Sequence, residues 1–168
     1  MPALLDLKEM TDQFFNQSAM LGMVTTLPPH KLAWLLNKNF DTNFEHAPER
    51  MICVTEKKGS KKSVAKLNNQ GLFGSEPTIQ NSDTLHYPVY NNLIPNSEFC
   101  HILYRLRNGK SVLISELKHL DYLWLIQSSD PIRDVRKFAS VLKNMTELQV
   151  VQEIKNDILG KSIVNLLL

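Results

Sequence analysis

Glu116, Asp121 and Tyr122 bring two carboxylates and a phenol into one short stretch, Ile114-Ser115-Glu116-Leu117-Lys118-His119-Leu120-Asp121-Tyr122. Such groups can exchange protons or ligate a metal. The Asn-Gly pair at Asn108-Gly109 is the strongest short hairpin signal in the chain, because a type I′ turn needs positive φ at both central residues. A strict two-residue turn there places Leu103 opposite Ile114 and His101 opposite Glu116. If Leu117-Lys118 formed a second two-residue loop, Glu116 would also face His119. A glutamate between two histidines on one sheet face is the raw material of a metal site. Leu-Lys is a poor type I′ turn, however, and the plainer account is a cross-strand ion pair worth about 0.2–1 kcal/mol. His30, His46 and His86 show no metal-ligand spacing to one another, and the chain has no GxSxG, HExxH, phosphate-binding glycine loop or GxGxxG.

Asp121 poses a sharper physical problem. It interrupts the apolar run Leu120-Asp121-Tyr122-Leu123-Trp124-Leu125-Ile126. Alternation places Leu120, Tyr122, Trp124 and Ile126 on one face and Asp121, Leu123 and Leu125 on the other. An unpaired carboxylate is costly to bury, so Asp121 must lie at a wet strand end, cap a turn or helix, or pair with an arginine such as Arg105. A binding surface is the functional alternative. The candidate binding residues are therefore Glu116, Asp121, Tyr122, His101 and His119, with no catalytic residue, metal ligand or cofactor assigned.

The elements that must position these groups follow from periodicity and punctuation. Residues 4–15 read as a short amphipathic helix, and Ser18 to Thr25 as a buried strand. Pro28-Pro29 opens a second helix, with Leu32, Leu35, Leu36 and Phe40 on its apolar face and Trp34 widening the stripe. Arg50 to Glu56 reads as a strand. A polar, lysine-rich loop follows at about 57–83, longer than compact domains usually tolerate. Thr84 to Tyr90, Glu98 to Arg107, Lys110 to Ser115 and His119 to Gln127 read as successive strands. Asp130 caps a helix with Pro131 in its first turn, and Ile132, Val135, Phe138, Ala139, Leu142 and Met145 form its core face. A strand at Glu147 to Val151 and a short amphipathic tail complete the chain. Hairpins with helices at the two ends imply the α+β class: an antiparallel sheet with helices packed mainly on one face.

The nine-residue stretch resembles the signature of the IPExxxVDY family, small bacterial proteins of unknown function. Similar matches are Leu21 to Thr26 with His30 to Lys38, His86-Tyr87-Pro88-Val89-Tyr90, and Arg107-Asn108-Gly109-Lys110. The likeness spans roughly residues 20 to 168. Ser115 stands where the family has Pro, and Leu120 where it has Val. The resemblance supplies no catalytic residue.

At 168 residues the chain reads as a single globular domain. A hydrophobic fraction of 43% and a charged fraction of 21% are ordinary for a soluble protein. The net charge of +2 is too mild to imply a nucleic-acid partner. No stretch approaches a membrane span, and the N-terminus lacks a secretory pattern. Cys53 and Cys100 sit in apolar runs and read as buried free thiols, which points to the cytoplasm. The expected function is a non-enzymatic binding or assembly module, with apolar residues at both termini (Phe14, Phe15, Ile163, Val164, Leu166 to Leu168) covering a second copy in a homodimer. One alternative is a small metal-dependent enzyme at the Glu116–Tyr122 stretch. The other is an RNA-associated factor using Lys57, Lys58, Lys61, Lys62 and Lys66 and the basic face of the helix after Asp130; the absence of interleaved aromatics argues against it.

Overall fold

The computed structural model describes residues 15–56, 63–66 and 83–166, together with Glu9 and Asp12. Its strands are β1 (Ser18–Val24), β2 (Glu45–His46), β3 (Ile52–Glu56), β4 (Ser63–Lys66), β5 (Asp83–Tyr87), β6 (Val89–Leu93), β7 (Cys100–Arg105), β8 (Arg107–Asn108), β9 (Ser111–Val112), β10 (Tyr122–Gln127) and β11 (Val150–Ile154). Helix α1 spans Pro29–Asn39 and α2 spans Pro131–Leu142. Six strands form an antiparallel sheet in the order β11-β1-β10-β7-β6-β2, and β4-β3-β5 form a smaller one. The α+β class holds. No helix among the described residues is long and apolar enough to cross a membrane.

The central strands are apolar on both sides because both faces of the main sheet are covered. On one face, Leu21, Met23, Leu103, Tyr122, Trp124 and Ile126 meet Leu32, Leu35 and Leu36 of α1 and Val135, Ala139 and Leu142 of α2. On the other, Met20, Ile102, Tyr104, Leu123 and Leu125 meet Ile52 and Val54 of the small sheet. Each large side chain fully buried in this way contributes about 1.5–3 kcal/mol. Trp124 is the hub of the helix face: Phe138 stacks on it at 4.9 Å, and Phe40 and Phe44 meet it edge-on at 5.6 Å.

The helix starts follow the expected chemistry. Pro28 is the N-cap of α1, and the Asp130 carboxylate accepts the Arg133 N–H at 3.2 Å to cap α2. Their faces are narrower than expected. Trp34 is 60% exposed, on the side of α1 away from the sheet, with Lys38 over its ring at 5.0 Å. Ile132 is 59% exposed, a turn before Val135 reaches the core.

Several strand boundaries move. Pro88 has no N–H and splits the expected strand into β5, in the small sheet, and β6, which runs on to Leu93 in the main one. Gly109 has φ of +59° while Asn108 and Lys110 do not reach positive φ, so Gly109-Lys110 are the central turn residues. Arg107 therefore pairs Val112 and Asn108 pairs Ser111, and the hairpin ends at the Leu113 N–H bonded to the Leu106 carbonyl. A 3₁₀ turn at Ser115–Leu117 replaces the rest of the expected strand, and β10 begins only at Tyr122. The last strand lies three residues later than expected at its start, because backbone bonds from Asn144, Met145 and Leu148 keep that segment in turns.

Most of the expected N-terminal helix and of the 57–83 loop falls outside the described residues, including Lys57, Lys58, Lys61 and Lys62. Within the loop, Ser63–Lys66 form β4 against β3. The C-terminal tail is a 3₁₀ helix, Asn156–Leu166. Phe15, Leu159 and Leu166 are buried in this chain's own core, with Ile163 packed against it. This corrects the expectation that Phe15, Ile163 and Leu166 cover a partner; Phe14, Leu167, Leu168 and the side chain of Val164 lie outside what is described.

Gly22 on β1 tests the closeness of this packing. A Cβ there would lie 2.3 Å from Leu120 Cδ1 and 3.2 Å from Ile154. Gly22→Val should cost about 1–3 kcal/mol by urea unfolding, with Gly22→Ala at the low end.

Candidate functional site

Asp121 sits at the bend just before β10, not within the strand. Its N–H donates to the Met23 carbonyl at 3.0 Å and its carbonyl accepts from Leu106 at 2.8 Å. This bend breaks the alternation: Leu120, in the turn before it, packs with Leu123 and Leu125 instead of with Tyr122. Both carboxylate oxygens of Asp121 are engaged. Oδ2 accepts the Thr25 N–H at 3.1 Å, and Oδ1 accepts Arg107 Nε at 3.1 Å. The expected structural account, a carboxylate capping a turn and pairing an arginine, is what the geometry shows, with Arg107 in the place of Arg105. Arg107 Nη2 also donates to the Lys118 carbonyl.

Tyr122 finishes the clamp. Its hydroxyl donates to the Leu27 carbonyl at 2.7 Å, and burial pushes it up to about 12 against the opposing pull of Arg105. Thr25 Oγ1 donates to the Glu147 carbonyl at 2.7 Å and accepts the Leu27 N–H at 3.2 Å. The Asp-Tyr pair thus fixes the Thr25–Leu27 loop from which α1 springs. Beside it lies a cleft of about 290 Å³, lined by that loop, Pro28, Arg105, Arg107, Asp121 and Tyr122.

Glu116 and the histidines do not converge there. Glu116 lies in the 3₁₀ turn, where Ser115 Oγ donates at 2.8 Å and Ser162 Oγ lies 2.9 and 2.8 Å from its two oxygens. Partial burial raises its carboxyl, but hydrogen bonds from Ser115, its own backbone N–H and Ser162 outweigh that and hold it below the ordinary range. His119 is exposed, its Nε2 2.8 Å from Gln152 Nε2. His101 pairs in register with Ile126 and Asn92, not Glu116, and is buried on the helix face against Trp124 and Phe138. The His-Glu-His arrangement required the two-residue frame at Asn108-Gly109, and the actual hairpin frame removes it. Among the described residues no group of three His, Cys, Asp or Glu side chains is placed to hold a metal.

Sequence reasoning missed Thr25, whose backbone N–H gives no sequence signal, and the role of Arg107, which lay in the misframed turn. It also missed the cross-strand pair Cys53 Sγ and His86 Nδ1, 3.2 Å apart, because the pairing of β3 with β5 spans the long insertion. No family model matches the chain, and no curated protein or solved structure matches it significantly.

Two measurements follow. Asp121→Asn should destabilise the fold by about 1–3 kcal/mol, since it weakens two engaged acceptors, and Tyr122→Phe by about 0.5–1.5 kcal/mol. Unchanged thermal stability in Asp121→Asn would remove the clamp. Burial, opposed by Asp134, lowers His101 from 6.5 to about 4. The unfolded chain therefore takes up this proton first, so stability present above pH 6.5 is lost as pH falls towards 4. At roughly 1.4 kcal/mol for each pH unit of that gap, the loss approaches about 3 kcal/mol. His101→Phe should flatten this part of a stability–pH profile.

Proposed function

We propose that the protein is a cytoplasmic, non-enzymatic binding and assembly module that works as a homodimer joined through the edge strand β11. The observation that carries this reading is the contrast between the two edges of the main sheet. The β2 edge is two residues long, exposed and charged (Glu45–His46), which discourages further pairing. The β11 edge is five residues, Val-Val-Gln-Glu-Ile, and has a strand partner on one side only among the described residues. It has no proline or lysine, and Val150 is 41% exposed. Antiparallel pairing of β11 with its own copy about a two-fold axis extends the sheet and satisfies both rows of free backbone groups.

The non-enzymatic part rests on the commitments of the chemistry-bearing groups. Asp121 holds the Thr25 N–H and the Arg107 guanidinium, Tyr122 the Leu27 carbonyl, and Glu116 the Ser162 hydroxyl. A general acid or base must instead reach a substrate proton. Free thiols at Cys53 and Cys100 fit a reducing compartment.

Sedimentation equilibrium across a concentration series should show a monomer–dimer equilibrium. Val150→Lys, which places a charge on the edge, should give monomers with stability within about 0.5 kcal/mol of the parent. A parent chain that is monomeric throughout, or a Val150→Lys chain that dimerises as firmly, would overturn the dimer.

A further inference from the structure

The charges around the Asp121–Tyr122 cleft do not balance, and the imbalance is specific. Two guanidinium groups, Arg105 and Arg107, line it against one carboxylate. Both oxygens of that carboxylate already accept a bond, one from the Thr25 N–H and one from Arg107. Arg107 is held by Asp121 and the Lys118 carbonyl. Arg105 is tethered only through Nε, which donates to the Arg107 carbonyl at 2.8 Å. Its two terminal nitrogens keep a planar fork of donors with no partner among the described residues. Register places Arg105 directly beside Tyr122, on the sheet face that carries the helices. The exposed Thr26 hydroxyl on the facing loop is likewise unpartnered among those residues.

We propose that this cleft binds the carboxylate of a small organic monoacid. A guanidinium fork matches a carboxylate in a two-point contact, which a lysine cannot reproduce. Two arginines less one aspartate leave a single positive charge, which a monoanion neutralises and a dianion overfills. Leu27, Pro28 and the Tyr122 ring supply an apolar wall for the body of the acid. At about 290 Å³ the cleft lies at or below the lower end of the roughly 300–1,000 Å³ of ligand pockets, so it admits a small acid rather than a nucleotide. The carboxylate lies between the Arg105 fork and Thr26, beside the Asp121 clamp that holds Arg107 and the Thr25 N–H. This site is independent of the β11 edge, so a monomeric protein would leave it standing.

Calorimetric titration of the full chain with sodium acetate, sodium benzoate and inorganic phosphate tests it, with sodium chloride as the ionic control. Benzoate should bind saturably and more tightly than acetate, and added salt should weaken it. Arg105→Lys keeps the charge but loses the fork, and should bind benzoate at least about tenfold more weakly. Thr26→Ala, at an exposed position that leaves β7 untouched, should weaken it severalfold. Lys110→Gln, a cation outside the cleft, should bind as the parent does. Binding of phosphate without benzoate, or equal benzoate affinity in the parent, Arg105→Lys and Thr26→Ala, would overturn the proposal. So would a loss in Lys110→Gln as large as that in Arg105→Lys.

Discussion

A carboxylate brought to the end of a buried central strand must replace the water it gives up. Asp121 does so with two donors from different parts of the chain, the Thr25 N–H and the Arg107 guanidinium. Much of the local architecture follows from that requirement. Thr25 is held where β1 ends, so the Leu27 carbonyl meets the Tyr122 hydroxyl and Pro28 can start α1. Arg107 is drawn in with the hairpin that carries it, and its Nη2 donates to the Lys118 carbonyl in the turn before Asp121. The ordinary preference for keeping charge at the surface is thus turned into a constraint joining β1, α1, β8 and β10.

The parts of this fold legible in the sequence are those set by local chemistry. Tyr122 to Gln127 is a near-unbroken apolar run because β10 is covered on both faces, and the Asp130-Pro131 start is written in the cap itself. The Asn108-Gly109 pair misled because Arg-Asn-Gly-Lys-Ser admits two frames. Only long-range bonds separate them: Leu113 to Leu106, and Leu106 to Asp121. The site suffered in the same way. Asp121's need for partners could be read from its apolar neighbours, but the Thr25 partner is a backbone N–H nearly a hundred residues away, and no side-chain pattern announces it.

Histidine shows how burial decides what a residue type can do. His101 was expected to face a carboxylate and instead lies among Trp124 and Phe138, with its Nδ1 unpartnered among the described residues. There the neutral ring is the stable form, and Asp134 only partly offsets the cost of charging it. His119, one turn from the clamp, is exposed and meets an amide. Two histidines chosen for the same role are therefore separated by the sheet: one packs into the aromatic core under α2, the other borders the β11 edge.

The spacing of the nine-residue stretch now has a mechanical reason. Glu116 holds Ser162 and with it the C-terminal 3₁₀ helix, while Asp121 and Tyr122 hold the loop that begins α1. The residues between them form one tight turn, and Leu117 and Leu120 point from it into the core. Ser115 occupies the first position of that turn, where a missing N–H costs nothing, so proline and serine are both compatible with the geometry. Serine adds a hydroxyl that bonds Glu116. A stretch that looks like a catalytic cluster is then a fastening between distant parts of the chain. Its carboxylates are engaged in that fastening, and beside it the terminal nitrogens of Arg105 have no partner among the described residues.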